Sequence, residues 1–132
     1  MRRGGHKAGY RLFAGLMVTL LFACICGCGT KSPGDVVKEF ETLVAQDKYE
    51  AASRHVSSDS RQMYSMMAAM GQGLTAAFGS PDFKSVEITG ERISGNRAEV
   101  SYVFHFGDGS TGWERQHDLV KEGGRWRINI QY

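Results

Sequence analysis

The sequence predicts an α+β domain in which N-terminal helices pack on an antiparallel four-stranded sheet. Three observations carry that reading. Apolar residues recur at helical spacing through the first half of the folded part. From Val86 onward they recur at every second position. Three short polar, glycine-bearing breaks interrupt this second half: Ser94-Gly95-Asn96, Gly107-Asp108-Gly109-Ser110 and Glu122-Gly123-Gly124. Helices first and strands afterwards make a two-layer α+β arrangement.

The helices announce themselves by their starts. Ser32-Pro33-Gly34-Asp35 places a capping hydroxyl before a proline at the first helical position, with an acid three residues after the cap. Val36, Val37, Phe40, Leu43 and Val44 then repeat on one face. Asp47-Lys48-Tyr49-Glu50 reads as a second cap, opening a short helix to about Val56 with Tyr49, Ala52 and Val56 on its apolar side. Ser57-Ser58-Asp59 opens a third. Met63, Met66, Met67, Met70, Leu74 and Phe78 form its stripe, Gly71 and Gly73 weaken it, and Gly79-Ser80-Pro81 ends it. Thioethers bind Cu(I), but this spacing is that of a buried helix face, so core packing is expected and no metal site.

The strands follow by alternation. Val86 and Ile88 lie in the first. Ala98, Val100, Tyr102, Phe104 and Phe106 share one face of the second, with Arg97, Glu99, Ser101 and His105 on the other. Trp113, His117 and Leu119 hold odd positions of the third, and Trp126, Ile128 and Ile130 mark the fourth. Short turns between successive strands specify a meander.

Ser32 to Phe40, Asp47 to Ala52, Ile88-Thr89-Gly90 through Ala98-Glu99-Val100, and the ending Leu119-Val120-Lys121-Glu122-Gly123-Gly124-Arg125-Trp126-Arg127-Ile128 together resemble small bacterial lipoproteins with a cystatin-like, nuclear-transport-factor-2-like (NTF2-like) domain. The resemblance covers about residues 32–131. It implies a curved sheet wrapping the helices into a cone whose open end can hold a pocket. It leaves function open, since such folds serve as enzymes, ligand binders and interaction modules.

The first 27 residues read differently. Of the sixteen Lys and Arg of the 132-residue chain, Arg2, Arg3, Lys7 and Arg11 fall here with no acid. Twelve basic residues then face all fourteen acids, so the rest carries −2 although the whole chain carries +2. That balance gives no basic footprint for nucleic acid. Leu12 to Ala23, even when extended to Ile25, is shorter than the roughly 20 residues a membrane span needs. A basic end, a short apolar run and a processing site make an export signal. Ile25-Cys26-Gly27-Cys28 resembles a bacterial lipobox; Leu21-Phe22-Ala23-Cys24 is a rival with an awkward Phe.

The expectation is a signal peptide over 1–27, a lipidated Cys28 with a tether over 28–31, and the α+β domain over 32–132. Cleavage before Cys28 leaves no second thiol, and so no disulfide. The chain is then held by acyl chains outside the cytoplasmic membrane or in the outer membrane. The resemblance to lipoproteins implies that Gly29, in place of the Asp that retains many of them at an inner membrane, favours the outer one where two membranes exist. An uncleaved anchor and a Cys24-Cys26-Cys28 metal knot are the other readings; the knot lacks the paired spacing of structural zinc.

Trp113 and His117 are the candidate pocket residues. The resemblance implies that isomerases and dehydratases of this fold use an Asp or His inside the cone. Asp118 alternates with Leu119 onto the other face, Asp108 lies in a turn, and His105 alternates away from the apolar face. His117 therefore has no partnered carboxylate on its own face, and catalysis needs one within reach. Trp126 is expected in the core, and Arg115, Arg125 and Arg127 as a solvated basic strip on the sheet. The expected function is a non-catalytic domain, without cofactor or metal, for an envelope protein or small ligand. The alternative is a small isomerase- or hydratase-like enzyme.

Overall fold

A computed structural model describes residues 29–70 and 82–131. Cys28, residues 1–27, and the expectations for Gly71, Gly73, Leu74, Phe78 and Gly79-Ser80-Pro81 lie outside the described residues. The element order is α1 (Pro33–Ala45), α2 (Tyr49–Ser53), α3 (Ser58–Ala69), β1 (Phe83–Ser94), β2 (Arg97–Phe106), β3 (Arg115–Glu122) and β4 (Arg125–Asn129). Successive strands pair antiparallel in the order β1-β2-β3-β4, the expected meander.

Helix α1 starts as its sequence dictates. Ser32 Oγ accepts from the Asp35 amide at 3.2 Å, and Pro33 occupies the first turn, where no amide proton is needed. Its end differs from expectation. Asp47 does not cap α2; it adopts φ +59° just beyond α1. The Lys48 amide reaches back to Leu43 O at 2.9 Å and the Asp47 amide to Val44 O at 3.1 Å. This is a Schellman closure, and an aspartate tolerates the left-handed position better than most residues. Helix α2 is then one turn shorter than the sequence suggests, with Ala52 and, beyond its end, Val56 fully buried.

The methionine stripe of α3 corrects the sequence reading. Met63, Met66 and Met70 are 42%, 58% and 67% exposed. The buried side is rotated by one residue: Ser60 and Tyr64 are buried, and Met67 half-buried. Periodicity identified an apolar face, but hydrogen bonds chose the inward one. Ser60 Oγ receives the Ile130 amide at 2.9 Å and contacts Ser57 and Asn129.

One sheet face packs on α1. Val36, Val37, Phe40 and Val44 from the helix meet Val86, Val100, Leu119 and Ile128 from the strands, all under 5% exposed. Burial of each such side chain contributes about 1.5–3 kcal/mol. Among the described residues, the buried hydrophobic core runs from Val36 to Ile128. Two devices position α1 on the sheet. In β1 a bulge between Ile88 and Gly90 resets the alternation, so Glu91 turns inward and accepts the Gly34 amide at 3.0 Å. At the other margin, Ile128 exchanges bonds with His55 O (2.7 Å) and the Ser57 amide (2.8 Å), a parallel bridge across Val56.

Candidate functional site

The inner face of the sheet carries one polar cluster. Tyr102 of β2 and His117 of β3 point toward α1, on the face of Val100 and Leu119. Their rings stack with centroids 5.2 Å apart and planes 16° apart. Glu41, on the buried side of α1 and 2% exposed, completes the cluster. Its Oε1 lies 2.8 Å from the Tyr102 hydroxyl and 2.5 Å from His117 Nε2. Tyr102 O–H and His117 Nε2–H both donate to that oxygen, because an ionised carboxylate only accepts. The sequence reading that His117 lacks a carboxylate holds for its strand face alone; the helix supplies one.

Electrostatics fix the donor. Burial first, and the Glu41 carboxylate second, push the Tyr102 hydroxyl far above its ordinary range. It therefore stays protonated. Tyr64, beneath Phe40 at 5.7 Å between centroids, is pushed up to about 12 by burial, with Tyr49 and Glu41 adding. Phe40 meets His117 edge-on at 5.6 Å, so apolar rings enclose the carboxylate–imidazole contact. Both hydrogen-bond contacts of His117 use Nε2. The other ring nitrogen, Nδ1, faces away from Glu41, and the side chain is 20% exposed.

The two candidate pocket residues are not adjacent. Trp113 precedes β3, 67% exposed, and the Arg115 guanidinium sits 5.6 Å from its ring and 4.8 Å from that of Phe104. The chain Trp113–Arg115–Phe104–Tyr102–His117 thus separates them along the inner face. Glu41, Tyr102 and His117 line none of the clefts formed by Trp126 with Arg127, by Asp118 with Asn129, by Arg54 with Arg61, or by Asp82 with Lys84.

Other sequence candidates resolve simply. His105 lies on the outer face, Nε2 at 2.5 Å from Glu87 and Nδ1 at 3.1 Å from Thr111. Trp126 is buried, with Lys121 over its ring at 5.5 Å. The single basic strip does not form. Leu119 pairs with Ile128 and Val120 with Arg127, so Arg115 shares the inner face while Arg125 and Arg127 take the outer one. Among the described residues no group of three or more His, Cys, Asp or Glu could hold a metal ion.

Comparison with solved structures decides the fold class. A candidate NTF2-like transpeptidase from Campylobacter jejuni superposes with a TM-score of 0.62 at 14% identity, covering 76% of this chain and 100% of that one. The fold is NTF2-like. A SEC-C motif containing protein from Rhodopseudomonas palustris shares the architecture with a TM-score of 0.53 at 16% identity, over 76% of this chain and 79% of that one. At such identities the likeness is one of the NTF2-like fold alone. No protein-family model matches the sequence. No curated protein matches it either. In the NTF2-like frame, Glu41, Tyr102 and His117 sit between the first helix and the centre of the sheet. Sequence reasoning missed Glu41. The available signal was its position, four residues after Val37 and three before Val44, inside the apolar stripe.

Proposed function

We propose that the chain is a lipid-anchored protein of the cell envelope, mature from Cys28, whose NTF2-like domain is a non-catalytic binding module for an envelope protein or small ligand. The observation that carries the non-catalytic reading is the convergence of Tyr102 and His117 on one buried oxygen of Glu41 beneath α1. A buried carboxylate satisfied by two donors is what a structural polar cluster requires. The anchor reading is supported by Ile25-Cys26-Gly27-Cys28 after a short apolar run, and by α1 beginning five residues after Cys28. Two acyl chains hold a protein stably at a membrane where one does not. The experiment is cell fractionation of the wild type and Cys28→Ser, with intact mass of the product. The expected result is acylated wild type beginning at Cys28 and an unprocessed variant. Normal processing and membrane retention of Cys28→Ser would remove the anchor.

One observation favours a second reading, acid–base chemistry of the isomerase or hydratase kind. Glu41 at 2.5 Å fixes the His117 tautomer, leaving the Nδ1 lone pair as a base. Deuterium exchange beside the carbonyl of a ketone panel in D₂O, wild type against His117→Gln, tests it. Exchange no faster than buffer for both proteins retires this reading.

A further inference from the structure

Four arginines converge on one groove. Arg54 follows α2, Arg61 lies on α3, and Arg125 and Arg127 occupy outward positions of β4. They line a groove of roughly 680 Å³ together with His55 and Glu39. Glu39 is its one acidic lining residue, and it is already paired with Lys31 and, at 3.5 Å, with His55. The nearby Glu122 accepts from the hydroxyl and amide of Ser58 and also feels the charges of Arg127 and Arg61, so four guanidinium groups face two carboxylates. Burial, ahead of the opposing pull of Glu39, lowers the pKa of His55. The charge of the groove is therefore guanidinium charge, permanent at any ordinary pH.

Such a concentration is unexpected in a domain of net charge −2. Like charges held together oppose folding unless a counter-charge is supplied. The location suggests which one. A second cleft shares His55, Arg125 and Arg127 as its wall and continues over Gly29, Thr30 and Lys31. The start of the domain thus runs beside the arginines. Gly29 adjoins Cys28, and one residue spans at most about 3.6 Å.

We propose that this groove docks on the anionic phosphate headgroups of the phospholipid leaflet that receives the Cys28 acyl chains; the proposal rests on the lipid-anchor reading. Guanidinium forks match phosphate oxygens bidentately. Each arginine at an anionic surface is worth about 1 kcal/mol, roughly fivefold in affinity. The acyl chains fix where the domain is, and the groove fixes which face it turns to the membrane.

The test uses a chain beginning at Gly29, which keeps every core residue among the described ones, and vesicles of phosphatidylcholine with or without phosphatidylglycerol. Sedimentation should show binding to the anionic vesicles only, falling as salt rises. The triple variant R54Q/R61Q/R125Q should bind at least tenfold more weakly. Arg127 is kept because it donates to the Arg54 carbonyl. The double variant R54Q/R125Q changes two exposed side chains and decides the matter if the triple variant fails to fold. Equal binding to neutral vesicles, or undiminished binding by the deciding variant, overturns the proposal. So does competition by millimolar inorganic phosphate, which would mark a free-anion site instead. Intact mass of the cellular protein separates the two readings. Acylation without vesicle binding removes the docking face alone; vesicle binding without acylation removes the anchor alone.

Discussion

His117 Nε2 lies 2.5 Å from Glu41 Oε1, although 76 residues separate them in the chain. The contact ties β3 to the buried side of α1 and has no exposed route to solvation on the carboxylate side, since Glu41 is 2% exposed. Removing one partner of such a pair strands the other.

Glu41→Ala should therefore destabilise the domain by about 3 kcal/mol or more, measured by urea unfolding. His117→Phe should cost less, because Tyr102 still donates to Glu41. The double variant Glu41→Leu/His117→Phe should recover part of the loss, as apolar replacement of both partners often does. Additive losses would show that the two side chains do not act as a pair.

Tyr64 makes stability depend on alkaline pH. Burial pushes its hydroxyl up to about 12 in the folded state, against about 10 for an exposed tyrosine. Between those values the unfolded chain loses the proton first, so the folded state binds more protons and stability falls as pH rises. The contribution is complete below pH 10 and lost through about pH 12. Tyr102 acts in the same direction. Thermal melts from pH 9 to 12 should show the decline, and Tyr64→Phe should make it shallower. An unchanged slope would mean that Tyr64 titrates alike in both states.

Gly34 and Glu91 should couple. A Cβ at position 34 would stand 2.7 Å from the Glu91 carboxylate oxygen that accepts the Gly34 amide. Gly34→Ala must push that carboxylate off the first turn of α1, where a negative charge is worth about 0.3–1 kcal/mol. Glu91→Ala should cost about 1 kcal/mol, and Gly34→Ala should cost less in the Glu91→Ala background than in the wild type. Equal costs in both backgrounds would separate the two positions.

The sheet was legible in the sequence because its signals are local. Alternation at Ala98, Val100 and Tyr102 and the turns at Gly95 and Gly123 act within a few residues, and each turn glycine holds the positive φ its hairpin needs. The start of α1 at Ser32-Pro33 is local in the same sense. What escaped depends on distant partners. Asp47 looked like a helix cap because its neighbours fit the pattern, but the demand on its backbone comes from the closing carbonyls of α1. The Met63–Met70 face was apolar without being inward, since Ser60 was claimed by Asn129 and Ile130 at the far end of the chain. Arg125 and Arg127 were visible as charges; their meeting with Arg54 and Arg61 was not, because it follows from how β4 lies beside α2 and α3.

The parallel bridge at Val56 and Ile128 has a consequence for self-association. It occupies the middle of the outer margin of β4, so that side of the sheet offers a visiting strand no continuous row of backbone donors and acceptors. Among the described strands, β1 is the other margin. There the irregular pairing near Phe83 and at Thr89, with Lys84, Glu87 and Arg92 along the strand, interrupts any template for strand addition. Concentrated solutions of the domain should therefore resist polymerising edge to edge.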